Sequence, residues 1–577
     1  MKQASDLQTL LRSIHRKGYP AYKSLKGSYQ FDSYLLHIDH VQGDPFASPS
    51  HIRIQISHRQ ADFPPAFYKD RTTKTALCDF LTRQFSREIE AYTFRAKGSG
   101  KSGLISVSHC GQEILSRTAC DIDKQGITAR FFVGFPANGR TINAEELEKI
   151  LFSFLPICVK KSFFYKNLDQ KKLEQTIFLA EDQAFIRSEL SRRSLTAFVA
   201  DGAVLPRESG VSSRPMKNSI PFSSPESLRV SMDLPHKGKI TGMGVPSGIT
   251  LIVGGGYHGK STLLNALEMG VYNHIPGDGR EYVITDSSAL KLRSEDGRFV
   301  KDVDISLFIN DLPNKKDTRQ FTTEDASGST SQAAGIIEGM ESQSRVFLLD
   351  EDTSATNFMV RDSFMQRVIQ REKEPITPFL ERAQDLFFQC GISTILVAGS
   401  SGAFFHIADT VIQMDSYRPV DITSLTRELC REYPLSPSVP PAFHMPESQR
   451  IMTRPFGLAS SSRRSGPKRE DTQRLKLRTN GKNSFSLGHQ ETDLRYLEQI
   501  VDSEQTAALG LLVKYAVEHL IDGKRTLSEI AEFLHQKLEQ EGFTFLGKRE
   551  TIPCGYAMPR IQEIYSCLNR VRRSDTY

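Results

Sequence analysis

The sequence predicts an α/β fold for the middle of the chain, and three stretches carry that prediction. The first is an apolar run, Ile249 to Val253, followed by a glycine-rich turn and a helix that opens at Lys260. The second is Arg345 to Glu351, RVFLLDE, an apolar strand that ends in two carboxylates. The third is Ala326-Ser327-Gly328-Ser329-Thr330-Ser331-Gln332, just ahead of a helical pattern running through Glu341. Apolar strands alternating with helices are the α/β pattern.

The first stretch contains chemistry. Gly254, Gly259, Lys260 and Ser261 have the spacing G-x-x-x-x-G-K-[ST] of a P-loop. Gly254, Gly255, Gly256 and Gly259, with Tyr257 and His258 between them, let the backbone turn tightly enough for successive N–H groups to face one concavity. The helix N-terminus through Thr262 adds its partial positive charge to that anion site. Lys260 is placed to reach the β- and γ-phosphates of ATP, and the Ser261 hydroxyl to ligate Mg²⁺.

In the second stretch Asp350 is the candidate Mg²⁺ carboxylate, through water. Glu351 beside it is the candidate base that polarises an attacking water. The residues after it, Asp352-Thr353-Ser354-Ala355-Thr356-Asn357, resemble the D-loop of ABC-type ATPases. The ASGSTSQ stretch resembles a variant of the ABC signature motif. That resemblance implies that Ser327, Gly328 and Ser329 meet the γ-phosphate of a nucleotide held by a partner subunit. Read alone, the same residues are equally an N-capped helix start. Together, Walker A, signature, Walker B and D-loop stand in ABC order, which points to a P-loop NTPase of ABC type.

The flanks read differently. Residues 1–200 alternate short helical and strand patterns, an α+β N-terminal domain. Its helices are expected over Leu7–Ile14, Lys74–Thr93, Glu145–Leu155 and Leu168–Arg192, its strands over Ser33–His40, Ile52–Ser57, Leu104–Ser108 and Ala129–Phe135. Three of its stretches are dense in special residues: HVQGDPFASPS from His40, GSGKSG from Gly98, and GFPANGR from Gly134. The GSGKSG stretch imitates a P-loop but has Arg95 where the first glycine belongs. It reads first as a flexible basic loop and second as a phosphate contact to nucleotide or nucleic acid, while the other two read first as turns and second as binding loops.

Residues 201–440 hold the ATPase core. Residues 441–485 read as a basic, flexible linker, with Arg463, Arg464, Lys468 and Arg469 at its centre, either a solvated tether or a phosphate-binding arm. Residues 486–577 read as a small helical C-terminal domain, apolar on successive helical faces.

Composition narrows the classes. The chain of 577 residues has net charge +6, so any nucleic-acid surface must concentrate its charge locally. No window approaches the roughly 18 apolar residues of a membrane helix, and the N-terminus lacks the apolar core of a signal peptide. Eight cysteines with no C-x-x-C spacing speak against a zinc ribbon or disulfide framework and fit a cytoplasmic protein.

At this point the chain resembles a whole family, the ABC-class ATPases of bacteria, which have a kinetoplastid mitochondrial relative tied to RNA editing. The match covers HIDHVQGDPFASPS from His37, AFVADGAVLPRESG from Ala197, GVPSGITLIVGGGYHGKSTLL from Gly244, GVYNHIPGDGREYV from Gly270, EDASGSTSQAAGI from Glu324 and LLDEDTSATNFMVRD from Leu348. The resemblance implies a homodimeric ATPase using ATP and Mg²⁺, with nucleic acid, RNA before DNA, as partner and no membrane.

Two departures bear on hydrolysis. The switch histidine expected after the strand Ser393–Ala398 is replaced by Gly399 and Ser400, so Ser400 is the candidate to position water or phosphate. No Q-loop glutamine stands out, and Asn310 is the nearest substitute. Competing readings are the energising subunit of a transporter, a repair ATPase with a coiled-coil arm, and a small-molecule kinase. The extra domains disfavour the first, and no long heptad run supports the second.

Overall fold

The protein is described from a computed structural model covering residues 2–361, 368, 373–435, 440–446, 449–453, 475–547 and 552–572. The candidate arm residues Arg463, Arg464, Lys468 and Arg469 lie outside the described residues. The chain forms two compact units, residues 1–181 with 538–558, and residues 182–537 with 559–577.

Among its described residues the first unit is built on a seven-stranded, largely antiparallel sheet. The strand Gly126–Val133 pairs along its whole length with Ser50–Ser57, which pairs in turn with Leu35–His40. The helix Arg71–Glu90 covers this sheet, started by an Asp70 side chain that accepts the Thr73 N–H. Its buried face carries Ala76, Leu77, Leu81, Phe85 and Ile89, and the ring of Phe85 meets Phe131 edge-on. The C-terminal segment of this unit is stitched to it by backbone bonds from Thr118 to Tyr556 and from Met558 to Ser116.

The second unit holds the α/β core. Its six-stranded sheet, among the described residues, runs Leu290–Leu292, Val346–Asp350, Ser393–Val397, Ile249–Val253, Thr410–Asp415, Arg418–Asp421. The first five are parallel, and only Arg418–Asp421 runs against its neighbour. Buried on both faces, these strands are continuous apolar runs rather than alternating ones. Leu251, Phe347, Leu348, Leu349 and Leu396 are at most 1% exposed. Because the strands are parallel, the residues after Val253, Asp350 and Val397 all emerge at one carboxyl edge of the sheet.

An antiparallel sheet precedes the core, with Gly238–Pro246 between Arg229–Leu234 and Leu195–Ala200. The hairpin Arg298–Val303 with Phe321–Ala326 leads directly into Ser327. The C-terminal region has the expected helices, Ser503–His519, Leu527–Glu541 and Ile561–Arg570. It is not wholly helical, however. A three-stranded antiparallel meander, Leu477–Asn480, Ser484–Leu487 and Gln490–Asp493, precedes them and begins inside the stretch read as linker. The first turn is Gly481-Lys482-Asn483, with Gly481 at φ +57°, between the paired residues Asn480 and Ser484. Apolar Phe485 and Leu487 pack inward, and the other strand residues are mostly polar. Among the described residues no helix is long and apolar enough to cross a membrane.

Candidate nucleotide site

The loop from Gly254 to Gly259 joins the strand Ile249–Val253 to the helix Lys260–Met269. Gly254 sits at φ +140°, and a Cβ there would lie 2.4 Å from the carbonyl oxygen of Met414. Only glycine fits this approach to the neighbouring strand. The loop is buttressed from that strand's end. His258 Nδ1 accepts the N–H of Ser416 at 2.9 Å, and the Tyr417 N–H donates to the His258 carbonyl at 3.1 Å. Tyr257, at φ +63°, is 98% exposed at the tip.

Lys260 folds back over the loop. Its ammonium donates to the carbonyl oxygens of Gly254 at 2.6 Å and Gly255 at 2.9 Å. A cation clasped only by carbonyl dipoles is well placed to exchange them for phosphate oxygens, which are charged and bind it more strongly. Ser261 and Thr262 continue the first turn of the same helix, where backbone N–H groups lack intrahelical acceptors.

The strand Val346–Asp350 delivers the two carboxylates. Asp350 is 8% exposed and accepts the Asp352 N–H at 3.2 Å. Burial pushes its carboxyl up, with the Lys291 ammonium opposing. A nearby divalent cation would offset that burial, so the site fits an Mg²⁺ ion held partly by Asp350. Among the described residues no trio of His, Cys, Asp or Glu forms a protein-only metal cage. A P-loop Mg²⁺ needs none, because hydroxyl, phosphate and water oxygens complete its shell.

Glu351 turns the other way. Its Oε2 accepts the backbone N–H groups of Gly399 at 2.7 Å and Ser400 at 3.0 Å, and its Oε1 accepts the Ser400 hydroxyl. Burial alone would raise this carboxyl, but the Ser400 hydroxyl and the N–H groups of Ser400, Gly399 and Ser401 outweigh it and hold it below the usual range. The candidate base and the candidate switch residue are therefore in direct contact.

The signature stretch sits at the start of the helix Gly328–Glu341. Ser327 is its N-cap, and its hydroxyl accepts the Thr330 N–H at 3.4 Å. The N-cap reading is thus realised, and it leaves the first-turn N–H groups of Gly328 and Ser329 at the helix mouth. Gln332 fixes this helix to the D-loop, donating to the Ser354 hydroxyl at 2.9 Å and accepting the Ala355 N–H at 2.8 Å. Asn310, the Q-loop substitute, spends its amide on the Ser306 carbonyl at 2.6 Å.

Behind the signature helix lies a buried ionic seam. Glu338 pairs with Arg298, Glu341 with Arg450, and Glu295 with Arg570 of the C-terminal helix. Arg450 also donates to Asn569 at 2.8 Å. These pairs, and the bridging role of Gln332, carry no short-range signal in the sequence, since the partners are far apart along the chain.

Residues 169–448 match the family model described as the P-loop domain of ABC ATPases. Residues 4–166 match that of the ATPase of the ABC class N-terminal domain, and residues 476–577 that of the MRB1590 C-terminal domain. An uncharacterized protein of Methanocaldococcus jannaschii is 30% identical over 264 residues, 44% of this chain. The chain spans 58% of that relative's length. Among solved structures, an ATP-binding cassette of an ABC transporter in its ADP conformation is 11% identical at a TM-score of 0.23, over 34% of this chain and 88% of that one. The cbiO1 protein of Clostridium perfringens, part of the ABC transporter complex cbiONQ, is 14% identical at a TM-score of 0.26, over 41% and 94%.

Proposed function

The chain belongs to the ABC-class ATPases, whose N-terminal, P-loop and C-terminal models match it in turn, and from that premise we propose that it binds and hydrolyses ATP in a homodimer and acts on nucleic acid. The observation that carries the ATPase reading is the meeting of three loops at one carboxyl edge of the parallel sheet. They present Lys260, the pair Asp350 and Glu351, and the pair Gly399 and Ser400.

In this reading the loop N–H groups and Lys260 take the phosphates of ATP. Ser261 and, through water, Asp350 hold Mg²⁺, which neutralises charge on the phosphates. Glu351 accepts the proton of the attacking water once Ser400 releases it. Ser327, Gly328 and Ser329 serve the partner subunit's nucleotide, and the helix mouth they occupy is an anion site by its geometry. Calorimetric titration with Mg-ATP tests the assignment. Lys260→Ala should abolish tight binding, and unchanged affinity would defeat it.

The nucleic-acid half of the reading draws on the match to the MRB1590 C-terminal domain and on the cation density around Arg463, Arg464, Lys468 and Arg469. RNA is favoured over DNA, and a cytoplasmic location goes with it. Titrations at several salt concentrations test it, since each phosphate neutralised on a single strand contributes a slope of about −0.7 in log affinity against log salt.

A further inference from the structure

The three special stretches of the N-terminal unit, far apart in sequence, form one locked cluster. The Lys101 N–H donates to the Pro45 carbonyl at 2.8 Å, and the Ser99 N–H to the Ala137 carbonyl at 2.7 Å. The Gly139 N–H donates to the Ser99 hydroxyl at 2.9 Å, and the Ala137 N–H to the Ser102 hydroxyl at 3.1 Å. Gln42 closes the set, its Oε1 accepting the N–H groups of Ser50 and Phe135, both at 3.2 Å. Gly100 sits at φ +61°, where a Cβ would lie 2.5 Å from the Pro45 carbonyl oxygen.

This rigid frame holds an aromatic ring outward. Phe46 is 63% exposed, and its N–H is fixed to the Asp44 carboxylate at 2.8 Å. A lone surface phenylalanine needs no explanation. Its surroundings are what distinguish this one. Lys101 follows the glycine packed against the Phe46 ring, and Arg140 follows the Gly139 bonded to Ser99. Arg16 and Lys17 are tied to the same hairpin by backbone bonds with Ile142 at 3.1 and 2.9 Å. All four cations are exposed, and among the described residues none pairs with a carboxylate. Of the acids in these loops and the helix that follows, Asp44 accepts the Phe46 and Ala47 N–H groups, Glu146 bonds Lys149 and the Lys97 N–H, and Glu145 faces His15 at 4.0 Å.

An outward aromatic ring on a rigid frame whose adjoining loops carry unpaired cations is the combination that binds single-stranded nucleic acid. The ring stacks on a base of any identity, and the cations follow the backbone phosphates. We infer that the loop cluster around Phe46 is a single-strand binding surface of the N-terminal unit, with Phe46 as its stacking residue and Lys101, Arg140, Arg16 and Lys17 as its phosphate-binding cations. A duplex buries its base faces in its own stack, so the surface discriminates against it. This inference rests on the proposal that the protein binds nucleic acid and locates part of that binding.

The test is fluorescence anisotropy of the full-length protein with a labelled oligouridylate of about 20 nucleotides, an RNA duplex serving as competitor. Phe46→Ala should weaken single-strand binding by about 5- to 140-fold, the fold-change equivalent of one stacked base. Phe46→Trp should keep it. Changing the four cations to Ser should flatten the salt slope by about 0.7 for each phosphate no longer neutralised. ATP turnover without nucleic acid should be unchanged in every variant, which also reports that they fold. Wild-type binding that Phe46→Ala leaves intact would overturn the surface alone, as would a duplex that competes equally. A wild type that binds neither RNA at low salt would overturn both the surface and the nucleic-acid reading beneath it.

Discussion

Ser400 donates its hydroxyl hydrogen to Oε1 of Glu351 at 2.5 Å, while the backbone of Gly399 and Ser400 holds Oε2. A carboxylate accepting these bonds is oriented but less basic, because each donor favours its charged form. Where a switch histidine would bring charge, this loop brings hydroxyl and amide dipoles. In the proposed role of Glu351 as base, loss of the Ser400 hydroxyl bond makes the carboxylate more basic.

Ser400→Ala tests that relationship. The hydroxyl is the largest of the groups holding the carboxyl down, so its removal raises the Glu351 pKa. Turnover needs the ionised base, so activity falls as pH drops through that pKa. The acid limb of the rate profile should move to higher pH in the variant, with ATP affinity unchanged. Superimposable profiles would separate Ser400 from the base.

The helix that opens at Lys260 contains a second titrating group. Burial, with Glu498 adding to it, pushes the Glu268 carboxyl up to about 7. In the unfolded chain it titrates near 4.3. Its contribution to stability is therefore fully present below about pH 4.3 and declines as pH rises towards 7, because only the unfolded state ionises there. Glu268→Gln removes that decline, worth about 4 kcal/mol at most. The thermal midpoint of the variant relative to wild type should be higher at pH 8 than at pH 5. An offset that does not change with pH would contradict the buried-acid account.

The proposed head-to-tail sandwich of two chains, in which the signature helix of each caps the nucleotide of the other, is tested by mixing variants. Lys260→Ala breaks the phosphate loop, and Ser327→Arg blocks the signature helix mouth. A mixed dimer then has one intact composite site and one doubly broken site. Each homodimer should be inactive, and the mixture should recover up to about half the activity of a wild-type site pair in its mixed fraction. A hydrolysing Ser327→Arg homodimer would rule the sandwich out.

Much of this fold is legible in the sequence, for local reasons. The helix starting at Lys260, the strand ending at Asp350 and the cap at Ser327 are each written within about ten residues by apolar runs, glycines and capping groups. The parallel core strands are legible because burial on both faces makes them uniformly apolar. The meander at Leu477–Asp493 is hidden by its polar composition, although Gly481 opens its three-residue first turn. Pairings closed across long loops are not legible at all. Glu351 with Ser400, Gln332 with Ser354, and Glu295 with Arg570 depend on the folded sheet to bring them together.

The proposed role of Glu351 is that of base in ATP hydrolysis at the edge of the parallel sheet. It is tested most directly by measuring ATP affinity and steady-state turnover on the same Glu351→Gln protein. The substitution keeps the side chain's shape but removes its basicity. Affinity for Mg-ATP should be retained and the closed dimer should accumulate, while turnover falls by roughly 10²–10⁴, the size of a general-base contribution. Full turnover in this variant, with ATP bound as in wild type, would contradict the assignment.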